Sequence, residues 1–382
     1  MLIVGRHVTV LKIIRYSLFG VYLQETYMEN QNNERVKWLD MVRTFAIVCV
    51  VMCHAVENGI YNMNAEYMQS AGTLSKIFAI TMFSVGRLGV PLFLIISGWL
   101  LLDRDYTDTK CKQFWKQKCC GLLLVMELWI IVYNLFLNLF NGYEISITNL
   151  IREMLLLQYN PMSHVWYLPM ILGMYITIPF AANALHALTM KTVITPWIIM
   201  IICFLGIPVA NDCLAMIGIR LGNSVMSTGF SGGYYGCYLI SGFLLKKGIL
   251  NRIKTRVLSV FAFVGLGILI LIQICSYYLN YNYSLWYNNV FLFLCGVIFF
   301  EIMSRTKKVS CEKLFLIIAR YSFAIYLIHN PINMLLARYT TFITVRPLRV
   351  IVVWGATVSL SLFATVIIGR IPKLGKKILY IR

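Results

Sequence analysis

Residues 39–59 read LDMVRTFAIVCVVMCHAVENG, a nearly continuous apolar run that carries Asp40, Arg43 and His54. Whether such groups are tolerable depends on the medium around the run, and the whole chain decides that. Of 382 residues, 59% are hydrophobic and 13% are charged, against about 25% charged in an ordinary globular domain. With a mean hydropathy of +0.74, the chain reads as an all-α, polytopic transmembrane helix bundle. Aromatic residues make up 14%, and many stand near the ends of apolar runs, where amphipathic rings suit the headgroup region.

The formal charge of +19 is divided among short segments between apolar runs. It never forms the long basic stripe that a nucleic-acid partner requires, so no nucleic-acid partner is expected. The 11 cysteines lack metal-type spacing, and Cys49, Cys53, Cys203, Cys275 and Cys295 lie inside apolar runs, where thiols serve as small hydrophobes. No metal site is expected.

A span needs about 20 apolar residues to cross about 30 Å of hydrocarbon. Ten segments qualify: 38–56, 77–102, 119–141, 164–186, 193–211, 229–248, 256–278, 286–304, 314–337 and 349–370. Between the third and fourth, LIREMLLL marks a short helix lying on the membrane surface. Every second connection is rich in Lys and Arg, which cytoplasmic loops retain. That pattern puts both termini in the cytoplasm. The connection holding Arg338, Arg346 and Arg349 then falls outside, against the rule, because the other loops fix the parity. Residues 1–33 stand apart from the membrane domain, 34–382. They include TVLKIIRYSLFGVYLQ, which is either an interfacial helix or a stretch preceding a true start at Met28.

Topology converts position into depth. Asp40 and Arg43 lie near the cytoplasmic end of the first span, and His54 follows Arg43 by eleven residues, about three turns. All three share one face. Arg43 either snorkels to the interface, neutralised by Asp40, or serves a substrate. His54 stands near the outer end, as a packing residue or a base. Arg87 lies near the midplane in SVGRLGVPLFLIISGWLL, where an arginine costs at least about 3 kcal/mol unless it faces a wet or anionic cavity. Gly86, Gly89 and Pro91 flank it. They either loosen the helix toward a substrate or allow close packing.

His164 and His329 fall in the same outer half and can converge with His54 and Arg87 on one cavity. Trp166, Tyr167 and Tyr326 offer rings for stacking on a sugar, or for anchoring at the interface. In the inner half, Glu127 and Glu301 sit in apolar surroundings, where an acid either pairs with a neighbouring Arg or Lys or, as expected for Glu127, meets substrate. Lys118 belongs to the basic run TKCKQFWKQKCC, which either attracts a polyphosphate substrate from the cytoplasm or only sets topology.

Four stretches in order, RVKWLDMVRTFAIVCVVMCH, GRLGVPLFLIISGWLL, HVWYLPMILGMYITIP and YSFAIYLIHNPI, resemble the signatures of the acyltransferase 3 family of integral-membrane enzymes. The likeness is strongest to the branch that O-acetylates surface polysaccharides. It implies transfer of an acetyl or other short acyl group from cytoplasmic acetyl-CoA, a donor substrate rather than a bound cofactor, to a hydroxyl of a glycan or lipid-linked sugar. It also implies residence in a bacterial cytoplasmic membrane, among lipid and polysaccharide-synthesis proteins. Carried over by motif, His54 becomes the general base or acyl-handling residue, and Arg43 and Arg87 become donor- or transition-state-binding residues; with Asp40 of the opening signature they make up the expected catalytic set. Tyr326 and His329 become supports of the site. Where many relatives carry two arginines three apart, this chain has Lys118 and Gly121, and lysine lacks arginine's bidentate fork. Polar residues at graded depth also describe a transporter or flippase, but no paired, interrupted spans mark two halves. A non-catalytic partner of a polysaccharide synthase is a third reading, disfavoured by the ionisable residues that remain.

Overall fold

The computed structural model describes residues 36–57, 60–61, 63, 68, 70–219, 233–372 and 375–381. The expected N-terminal extension, 1–33, lies outside the described residues. Those described form helices and turns, without strands. In chain order they are α1 (Lys37–Glu57), α2 (Thr73–Gly86), α3 (Gly89–Leu101), α4 (Asp108–Phe114), α5 (Gly121–Asn141), α6 (Ile147–Met154), α7 (Tyr167–His186) and α8 (Met190–Ile201). There follow α9 (Ile207–Ala215), α10 (Gly233–Lys246), α11 (Thr255–Tyr278), α12 (Val290–Ser304), α13 (Glu312–Tyr339), α14 (Arg346–Gly369) and α15 (Gly375–Ile378).

Each of the ten expected spans contains a helix. Eight helical stretches are long and apolar enough to cross a membrane, α12 is a shorter apolar helix, and α10 has 14 residues. The outer surface is apolar too: Phe263 is 80% and Phe363 64% exposed. In water such a surface would be an aggregation hazard, whereas lipid tails solvate it.

The centre of the bundle is α1, packed on α13 and on the broken span α2–α3. Lys37 pairs with Glu312 at 3.0 Å, and the Thr44 hydroxyl donates to the Phe315 carbonyl at 3.0 Å. The starts of α1 and α13 therefore lie together, the helices run parallel, and their histidines rise to one level. The α2–α3 span runs the other way, with Trp99 edge-on to Trp38, ring centroids 5.4 Å apart, at the same end. Between α2 and α3, Gly86 and Gly89 let α1 approach. A Cβ at Gly86 would lie 2.7 Å from the Cys53 amide nitrogen, and one at Gly89 2.5 Å from the Ala46 carbonyl oxygen. Close packing is thus the work of these glycines, the second of the two sequence readings.

At the end where α1 begins, here called the basic end, Asp103 ties the loop after α3 to its neighbours. It pairs with Lys246 at 3.1 Å, Lys247 at 2.6 Å and His186 at 3.4 Å. Burial pushes its carboxyl up, but the hydrogen bonds from Lys247 and Lys246 outweigh that and hold it below the usual carboxylate range. On α6, Ile147, Ile151 and Leu155 beyond it are exposed, forming the apolar stripe expected of a surface helix.

Candidate functional site

Three histidines from three segments meet in the middle of the bundle. His54 comes from α1, His329 from α13 and His164 from the 3-10 turn Ser163–Trp166 that opens α7. Ring centroids are 5.3 Å apart for His54 and His329, 5.2 Å for His164 and His329 and 6.0 Å for His54 and His164. All three are buried. The three rings converge as expected from sequence, but neither they nor Arg87 line either of the two cavities that enter from the ends of the bundle. Among the described residues no group of three or more His, Cys, Asp and Glu side chains is arranged to hold a metal ion.

Hydrogen bonds separate the three chemically. The Tyr133 hydroxyl donates to the Leu327 carbonyl at 2.9 Å, so its oxygen receives the Nε2–H of His164 at 3.2 Å. The His164 Nδ1 then accepts from the Asn330 amide at 2.9 Å, and the Tyr326 hydroxyl donates to the His164 carbonyl at 2.6 Å. Both ring nitrogens of His164 are occupied, which fixes its tautomer. His329 donates Nδ1–H to the Tyr326 carbonyl at 2.6 Å. Its Nε2 therefore carries a lone pair, and that atom has no hydrogen-bond partner. The Nδ1 of His54 also lacks a hydrogen bond and faces the Glu57 carboxylate at 3.7 Å. Two imidazoles with a nitrogen to spare thus stand beside one that is locked.

Arg87 sits behind Glu57. Its guanidinium is 3.4 Å from the Glu57 carboxylate, donates to the Tyr287 hydroxyl at 3.2 Å and lies over the rings of Phe83 and Trp286 at 4.7 and 5.0 Å. It is 5% exposed. The anionic partner and the aromatic faces meet the cost of an arginine at this depth. Trp166 extends the aromatic wall, stacked on Tyr235 with centroids 5.8 Å apart.

Two cavities approach the histidines from opposite ends and share no lining residue. The first, about 270 Å³, opens at the basic end by Arg43, Arg104 and Lys118 and reaches Val50, Tyr167 and Tyr326. The second, about 750 Å³, is lined by Glu57, Ser163 and Asn330, with Arg338 and Arg349 farther out. On every segment the histidine stands between one wall and the other: Val50, His54, Glu57 on α1; Tyr326, His329, Asn330 on α13; Ser163, His164, Tyr167 at the start of α7.

Other expected residues fall as follows. Asp40 pairs with Arg43 at 3.2 Å, and Arg43 also lines the first cavity, so its structural and substrate-facing readings coexist. Lys118 lies in a π-helical turn, Trp115–Cys120, between α4 and α5, the kind of widened turn often found at functional sites. Glu301 pairs with Arg305 at 2.7 Å, a local ion pair. Glu127 is half-buried with one carboxylate oxygen unpartnered and lines neither cavity. Sequence reasoning missed Glu57, Tyr133 and Asn330. Glu57 had a signal, since it follows His54 by three residues and so shares its face; Asn330 directly follows His329. Tyr133 had none.

A family model described as an acyltransferase domain, that of acyltransferase 3, matches residues 36–370. No curated protein matches the chain, and no solved structure does.

Proposed function

The chain belongs to the acyltransferase 3 family, and from that premise we propose that this membrane acyltransferase moves an acetyl or other short acyl group from acyl-CoA to a hydroxyl of a glycan or lipid-linked sugar. The observation that supports this reading is the layer of histidines between two separate cavities. In this reading the basic end faces the cytoplasm of a bacterial cell, in the cell membrane. Arg43, Arg104 and Lys118 meet the phosphates of the donor, while the narrow apolar channel takes its thioester-bearing arm. Arg43 and His54 are about 16 Å apart along α1, and a cavity running from Arg43 to Val50 lets the donor itself cover most of that distance.

The acceptor hydroxyl enters from the larger cavity. It attacks the thioester carbonyl, a carbon–oxygen bond forms, and the carbon–sulfur bond breaks. His54 takes the hydroxyl proton, and the Glu57 carboxylate stabilises the imidazolium. The lone pair on His329 Nε2 faces the same layer and can relay the proton toward the departing sulfur, which leaves as the thiol. Arg87 acts through Glu57, holding its carboxylate toward His54. His164, with both nitrogens engaged, orients Asn330 and Tyr326. Trp166, Tyr167 and Tyr326 supply rings beside the acceptor and donor paths.

The test is turnover of radiolabelled acetyl-CoA by the purified protein in lipid nanodiscs, reading CoA release and label on a cell-envelope glycan extract. Wild type should transfer label, and His54→Ala should lose it by at least about 100-fold, the scale of general-base catalysis. Absence of turnover with any short acyl-CoA, from folded wild-type protein, would overturn the reading.

A further inference from the structure

Arg338 and Arg349 stand at the end of the bundle opposite the basic one, where the positive-inside rule disfavours them. Both line the larger cavity. Neither is paired with a carboxylate among the described residues. Arg338 donates to the Phe140 carbonyl at 2.7 Å and to the Asn141 side-chain oxygen at 3.4 Å, with its guanidinium 3.8 Å from the Phe140 ring centroid. Arg349 donates to the Thr340 hydroxyl at 3.3 Å and to the Ala337 carbonyl. These neutral acceptors orient the guanidiniums without neutralising them. Each keeps N–H donors for a further ligand.

The other charged wall residue, Glu57, is already balanced by Arg87 at 3.4 Å. The cavity wall thus carries two uncompensated positive charges. A ligand that balances both is a dianion, and phosphate oxygens match the planar fork of arginine.

We infer that this cavity holds the diphosphate of a lipid-linked sugar on Arg338 and Arg349, with the sugar directed past Asn330 toward His54. The inference rests on the acyltransferase reading and names its acceptor. Both arginines sit where α13 ends and α14 begins, the level at which a lipid-anchored phosphate lies. The volume of about 750 Å³ is within the usual range of small-molecule sites, roughly 300–1,000 Å³. A phospholipid headgroup offers the same phosphate chemistry but only a single charge.

The experiment measures binding of a radiolabelled prenyl-diphosphate N-acetylglucosamine to the full chain, immobilised in neutral detergent, beside the phosphate-free prenyl glycoside. Wild type should prefer the diphosphate. Arg338→Gln and Arg349→Gln should each weaken its binding by about ten-fold, as loss of a charge-assisted contact implies, leaving the phosphate-free glycoside unaffected. Unchanged diphosphate binding in both variants, or equal binding of the two ligands to wild type, would overturn the inference. Phosphatidylglycerol competing as well as the diphosphate would assign the site to a headgroup and overturn it too. Because binding requires no acyl donor, these results are independent of whether acetyl-CoA turns over. Conversely, transfer to the phosphate-free glycoside that both Gln variants retain, alongside unaltered diphosphate binding, would reject the phosphate site and leave the acyltransferase intact.

Discussion

Three imidazoles within about 6 Å of one another are set apart by what their nitrogens already touch. His54→Ala should abolish transfer, whereas Glu57→Gln, which keeps the side chain's shape but removes the charge opposite the imidazolium, should lower kcat by about 10–100-fold with little change in acceptor KM. Asn330→Leu makes a different prediction. It strips the donor from a buried His164 nitrogen and should cost about 1–3 kcal/mol, read as a lower Tm of the protein in detergent. An unchanged Tm would show that the lock on His164 contributes nothing. Much of this site was legible from sequence because His54, Arg87, His164 and His329 are costly in lipid and draw the eye. Tyr133 was not, since a tyrosine in an apolar run is ordinary and its partner is 31 residues distant.

Elements carry the next level of constraint. Hydropathy alone anticipates a helix in each of the ten stretches, eight of which are long and apolar enough to cross a membrane, because a span must satisfy its own backbone over about 20 residues. It did not separate the two readings of the glycines beside Arg87, as close packing and substrate access ask the same of a residue without a side chain. The close approach of α1 to α3 decides between them. Gly89→Ala should therefore destabilise the fold by about 1–3 kcal/mol, the cost of overpacking, since the added carbon would meet the Ala46 carbonyl oxygen on the neighbouring helix at 2.5 Å. Thermal unfolding monitored by tryptophan fluorescence checks this, and a Tm equal to wild type would mean that α1 yields freely. The turn carrying Lys118 was seen as a basic run, but its widened geometry has no sequence marker.

For the whole molecule, the Asp103 cluster binds α3, α7 and α10 at the basic end, and its sign with pH follows from the depressed carboxyl. A group whose pKa is lowered by folding stabilises above its unfolded value, ordinarily near 3.8, and loses that contribution as the pH falls through the lower folded value. Wild type should thus lose Tm below about pH 4 more steeply than Asp103→Asn, which should already be less stable at pH 7. Parallel curves for the two proteins would remove Asp103 from the account. Exposed Cys120 and Cys311 test orientation. A membrane-impermeant maleimide should label them in inside-out vesicles and spare them in intact cells; labelling from the outer face would invert the proposed arrangement.

The two cavities that share no wall have one more consequence on the proposed reading. The acceptor gives up its proton at one face, and the thiol that gains a proton departs at the other. Each ester made then moves one proton inward as one acyl group moves outward, and neither the acceptor side nor the donor side changes its charge. Transfer on this geometry is electroneutral, so the membrane potential neither drives nor opposes it. The extent of acylation in sealed vesicles should be the same whether an inside-negative voltage is imposed or collapsed.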